Sequence, residues 1–208
     1  MRSAAGMHCP EAFDSLRRAR GDTLGLVEDL SQAQLDASPE AGRWSIGEVL
    51  DHLVRSDEMF LKEIRTLADR QRRGRAPLVY RGLGNGGGLF GSLPWPLRLP
   101  VEGTVACWNL VIPAVLRRWA IGQRQLRAQA PKVLRPRARR SREALFADLR
   151  ASLEELEGLE NADDIDLSIG LYYSPILGFN TVPGLIRLAA QHERRHQGQI
   201  LEAREALP

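Results

Sequence analysis

The sequence predicts an all-α protein, on three observations. Four segments repeat their apolar residues at helical spacing, three of them open on residues that cap helices, and no stretch alternates apolar and polar residues as a strand does. At 208 residues the chain can bury one sizeable core, so a single domain spanning 1–208 is expected.

The first helix is expected over about 11–30, where Phe13, Leu16, Leu24, Val27 and Leu30 stay near one face and Gly21 and Gly25 weaken it slightly. The second, about 45–70, opens on Ser45 with Glu48 three residues on, a capping box that satisfies two free backbone amides reciprocally. Ile46, Val49, Leu50, Leu53, Phe60, Ile64 and Leu67 form its stripe, and His52 lies beside it. The third runs from Ser141 to about residue 160 on Leu145, Leu149, Leu153, Leu156 and Leu159, and stops before the acidic turn NADDID. The fourth, about 181–204, opens at Thr181 with Pro183 in its first turn. Leu185, Leu188, Ala189, Ile200 and Ala203 share its face with His192 and His196. Between the second and third helices, residues 74–140 are too many for a turn and form a long crossover. It divides into a Gly/Pro-rich stretch at 75–103, an apolar segment at 104–129 interrupted by Pro113, and a basic connector at 130–140.

Composition narrows the class. Hydrophobic residues at 43% and charged residues at 26% are ordinary globular values. No run reaches the roughly 18 apolar residues of a membrane helix, and the N-terminal tail lacks the apolar core of an export signal. Cys9 and Cys107 form no close pair, which fits a reducing cytoplasm and neither a disulfide framework nor a thiolate zinc site. A net charge of +3 gives no reason to expect a nucleic-acid partner.

The chemistry-bearing stretch is QHERRHQGQI at 191–200. His192 and His196, one helical turn apart, can both reach one divalent ion at about 2.0–2.1 Å, but a stable site needs a third donor. Read as H-E-x-x-H, the stretch would make Glu193 the general base of a zinc metallopeptidase. Only twelve residues follow His196, with neither the H-x-x-G-x-x-H extension nor an edge strand to hold a peptide.

WSIGEVLDHL, followed far downstream by HERRHQGQI, resembles the DinB-like superfamily, also described as DinB/YfiT-like metalloenzymes. Trp44, His52, His192, His196, Gln199 and Ile200 stand in the family's order, and the resemblance covers nearly the whole chain, least clearly at 75–140. It implies an antiparallel four-helix bundle with one long crossover, in which His52, His192 and His196 hold a divalent metal with coordination positions left open. Zinc suits imidazole best; nickel, iron and manganese are alternatives. Characterised relatives include thiol-dependent S-transferases and isomerases, which implies a low-molecular-weight thiol acting on a small electrophilic substrate, since a metal that holds sulfur stabilises the nucleophilic thiolate. Within this reading Glu193 is a weak candidate for base or outer partner of a ligand. The competing reading is a stress-associated bundle that binds a metal or small ligand without turnover. Exposed tryptophans would suit a homodimer contact.

Other motifs carry less. Gly82, Gly84 and Gly87 match G-x-G-x-x-G formally, but Pro94 and Pro96 follow where the phosphate-binding helix should begin. Leu89, Phe90, Leu93, Trp95 and Leu97 would form either a lid or outer packing. The run RPRARRSR at 135–142 reads as a solvated connector before an anion site. Trp108 and Trp119 read as packing residues, and His8 and Cys9 as tail.

Overall fold

The computed structural model describes residues 10–81, 134–137, 139–160, 164–174 and 178–207. Its elements in order are α1 (Pro10–Gly25), α2 (Gln32–Asp36), α3 (Ile46–Arg72), β1 (Leu78–Tyr80), α4 (Arg142–Glu160), β2 (Leu171–Ser174), β3 (Gly178–Thr181) and α5 (Val182–Glu205). The four long helices are those the periodicity predicts. Ser45 caps α3 through the expected box, accepting from the Glu48 amide while Glu48 accepts from the Ser45 amide. Thr181 caps α5 by accepting from the Gly184 amide, ahead of Pro183 in the first turn. Among the described residues, no helix is long and apolar enough to cross a membrane.

Two expectations are corrected. The first helix ends at Gly25 and not near Leu30, and the chain turns before a second capping box, Ser31 with Gln34, starts α2. Val27 and Leu30 remain buried all the same, so their apolar spacing reported burial rather than helix. The chain also contains a small three-stranded sheet, with β1 parallel to β2 and β2 antiparallel to β3. Strands of three or four residues are too short for alternation to register, and Leu78 pairs with Leu171 from far away in sequence. The glycine fingerprint, the candidate lid, the apolar segment at 104–129 with its tryptophans, and the His8–Cys9 tail all lie outside the described residues.

Packing places α1 against α4 and α5, and α3 against the same two, so α1 and α3 occupy opposite corners of the bundle. Side-chain pairings fix the directions. Arg194 reaches Ser15 and Arg204 reaches Asp29, so α5 runs parallel to α1. Ser152 reaches Asp57, Arg65 pairs with Glu155, and Arg140, just before α4, reaches Asp51, so α4 runs parallel to α3. Arg17 near the start of α1 meets Glu157 and Glu160 at the end of α4, an antiparallel pair, and α3 and α5 are antiparallel likewise, since Phe60 and Ile64 share a layer with Leu185, and Leu50 and Leu53 share one with Ile200. Parallel neighbours cannot be joined by a tight turn. Arg140 pairs with Asp51, so α4 starts about 30 Å back along α3 from its end, and a crossover, not a turn, must join the two helices.

The interior is layered. One apolar layer joins Phe13 and Leu16 to Phe60, Ile64, Leu156, Leu185 and their neighbours, and a second joins Leu50 and Leu53 to Leu145, Leu149 and Ile200. Between them sits a charged belt from all four long helices. Arg20 donates to Glu193 at 2.8 and 3.2 Å, to Asp57 at 2.6 Å, to Ser152 at 3.0 Å and to the Leu149 carbonyl, and Ser152 donates to Asp57 at 2.7 Å. Arg20 is 2% exposed and Glu193 1%. Burial works against the Arg20 charge, yet Asp57 and Glu193 hold its pKa above the usual guanidinium value. Burial lifts the pKa of Glu193, against the pull of Arg20, as one cation between two carboxylates requires.

Candidate metal centre

Helix α3 brings His52 to a buried position one turn after Val49, and α5 brings His192 and His196 to the same place from the antiparallel neighbour. The three predicted histidines converge. Nε2 of His52 lies 3.3 Å from Nε2 of His192, which lies 3.2 Å from Nε2 of His196, and one ring nitrogen from each falls within 4.8 Å of the others. His52 and His196 are buried and His192 is partly exposed.

Their outer nitrogens explain why the inner ones face one another. His52 Nδ1 lies 2.7 Å from the Leu134 carbonyl, which can only accept, so Nδ1 carries the proton and Nε2 keeps its lone pair. His196 Nδ1 donates to Gln199 Oε1 at 2.7 Å, which leaves its Nε2 likewise unprotonated. A single proton on His192 Nε2 cannot serve both neighbours. A cation satisfies all three at once: tetrahedral donors about 2.0–2.1 Å from zinc stand about 3.3–3.4 Å apart, close to the two separations that His192 makes. The donor set therefore fits a divalent ion, with neutral imidazoles and two hydrogen-bonded outer nitrogens in place.

The surroundings keep the rings neutral. Burial depresses the His52 pKa below its ordinary 6.5, offset in part by the Leu134 carbonyl. Burial and then the neighbouring His196 and His52 push His192 well below that value. His196 falls to about 3, from burial first and His52 second. In unfolding, these rings regain the ordinary value, so as pH falls below about 6.5 the unfolded chain takes up protons that the folded one refuses. Metal-free protein should therefore be fully stabilised above that pH and lose stability progressively toward pH 3. His196 alone accounts for at most about 1.4 kcal/mol per pH unit in that window. Urea unfolding of metal-free protein at pH 7.5, 6.5 and 5.5 measures this, and His196→Gln should flatten the slope.

Trp44, just before α3, tilts its ring toward His52 with centroids 5.0 Å apart. Gln199 orients His196, and Ile200 is fully buried in the second apolar layer, so both residues that follow the histidine pair in the motif have a physical task. Glu193 does not join the histidines: both its oxygens accept from Arg20 in the charged belt, which removes it from the position of a base. The basic run is a solvated connector only in part: Arg135, Arg137 and Arg139 are exposed, but the run is also tied to the bundle. Arg137 and Arg140 pair with Asp51, Arg137 also with Glu58, Arg140 also with Asp148, and Arg142 stacks on Phe146 at 4.5 Å. Sequence reasoning missed Arg20, Asp51 and the Leu134 carbonyl. Arg20 alone left a signal, a charge four residues after Leu16 and seven after Phe13 on the apolar stripe.

Fold and site together define a four-helix bundle protein that gathers three histidines from two antiparallel helices. The sequence profile of the DinB superfamily matches residues 15–200, and the chain belongs to that superfamily. Among solved structures it is similar to YfiT from Bacillus subtilis, described as "a probable metal-dependent hydrolase with an unusual four-helix bundle topology". Identity is 14% over 93% of this chain and 84% of that one, with a TM-score of 0.51. No curated protein matches the chain.

Proposed function

We propose that this protein is a metal-dependent enzyme that activates a small nucleophile, a low-molecular-weight thiol or water, against a small electrophilic substrate. The observation that carries the reading is the convergence of three Nε2 lone pairs, two of them fixed by acceptors on the far side of the ring. His52, His192 and His196 would hold the ion, zinc by preference, with nickel, iron or manganese as alternatives. Bound there, a divalent ion supplies a Lewis acid with open coordination positions that lowers the pKa of a thiol or water beside it.

The chain's own groups do the rest. Leu134 and Gln199 orient two of the rings, burial holds all three neutral, and Trp44 shields one side of His52. Thiol transfer is the primary reading, in line with the resemblance in the paired motifs. Hydrolysis takes support from the description of YfiT. No base role is proposed for Glu193, and with it the peptidase reading loses its general base.

The test is a panel of alkyl and aryl electrophiles and small esters and amides, presented to protein loaded with each metal, with and without glutathione, mycothiol or bacillithiol. Consumption that requires the thiol supports transfer, and thiol-independent hydrolysis supports the water reaction. Absence of turnover across the panel with one metal bound per chain would contradict the enzyme reading and favour a binding bundle.

A further inference from the structure

We infer that Asp51 is a positioning residue for the histidine site, acting through the short strap that precedes α4. This rests on the metal-site reading above. Asp51 stands beside His52 on α3 and is 2% exposed, yet its carboxylate turns to the strap and not to the histidines. It accepts from the Arg137 main-chain amide at 2.6 Å, from Arg137 Nε at 3.1 Å, and from Arg140 at 3.2 Å, with the Arg137 terminal nitrogen at 3.1 Å. Three residues before Arg137, the Leu134 carbonyl accepts the His52 Nδ1 proton at 2.7 Å.

Consecutive residues of α3 therefore grip the strap at two points, and the two grips differ in kind. Asp51 binds it through a carboxylate met by two guanidinium groups and a main-chain amide. His52 binds it through one hydrogen bond that determines which ring nitrogen keeps its lone pair. A carbonyl on a chain segment orients a ring only if the segment is held still, because a shift of about 1 Å breaks the bond and frees the ring to change tautomer. Asp51 supplies that immobility. Glu58 also touches Arg137, but at 3.4 Å, from an exposed position and without the main-chain amide.

The test uses the full chain. In metal-free wild type, long-range proton–nitrogen NMR should report His52 protonated on Nδ1. In Asp51→Ala the same ring should report a mixture of tautomers, and zinc affinity, measured by competition with a chromophoric chelator, should fall ten- to a hundredfold. Arg137→Ala, which keeps the main-chain donor, should cost less than Asp51→Ala, and Glu58→Gln should change neither readout. Asp51→Asn covers the case in which the alanine variant folds poorly: it keeps an acceptor for the amide, weakens the guanidinium grip, and should fall between wild type and alanine. Wild-type tautomer and affinity in folded Asp51→Ala or Asp51→Asn would overturn the inference. Failure of wild type to bind zinc would overturn the metal-site reading instead, because the tautomer measurement needs no metal.

Discussion

His192→Ala is expected to abolish stoichiometric metal binding while leaving the bundle folded. His192 is the middle member of the cluster, 3.3 Å from one partner nitrogen and 3.2 Å from the other, and its partial exposure means that truncation opens no sealed core cavity. Loss of one donor from three leaves two, too few for a stable site, so the loss should exceed the ten- to hundredfold cost of removing an outer partner. His52→Ala and His196→Ala should lose metal to the same degree. His196→Ala should also lower stability, since Gln199 Oε1 is left without its donor. Metal analysis of each variant beside its far-ultraviolet spectrum separates loss of ligand from loss of fold. Full metal content in any of the three would remove that residue from the site.

Arg20→Met should produce the largest change in stability. It removes the guanidinium that, among the described residues, faces both Asp57 and Glu193 in the charged belt, and leaves two carboxylates in a layer closed above and below by apolar residues. Breaking a buried ion pair from one side typically costs about 3–5 kcal/mol, which in a chain of this size lowers the melting temperature by roughly 6–20 °C. The belt need not be stabilising in itself. Replacing all three charges together, Arg20→Met with Asp57→Leu and Glu193→Met, should recover most of the loss, because no buried charge then lacks a partner. Thermal unfolding of the single and triple variants decides this, and a single variant within about 1 kcal/mol of wild type would show that water reaches the belt.

The four long helices were legible because each writes its apolar face, and three of them their caps, into adjacent residues: Ser45 with Glu48, Thr181 with Pro183, and Ser141 ahead of the leucine ridge from Leu145 to Leu156. The histidines were legible in two ways. His192 and His196 share a helical face by local spacing, whereas His52 joined them only through the order of two motifs, with 140 positions between it and His192. What escaped was non-local or carried by the backbone. The parallel pairing of α1 with α5 and α3 with α4 depends on how faces meet, and nothing in either helix states its neighbour's direction. The partner of His52 is a carbonyl, an atom every residue possesses, so the identity of Leu134 holds no trace of it. The capping box at Ser31 was different: its signal was local and stood in plain view six residues after Gly25.

The most direct test of the central claim is X-ray absorption at the metal edge of protein purified without a histidine tag. One ion per chain should show three imidazole nitrogens, at about 2.0–2.1 Å if the metal is zinc, with light oxygen or nitrogen donors completing the shell, and this signature should vanish in His52→Ala. Sulfur near about 2.3 Å, or a spectrum that His52→Ala leaves unaltered, would contradict it.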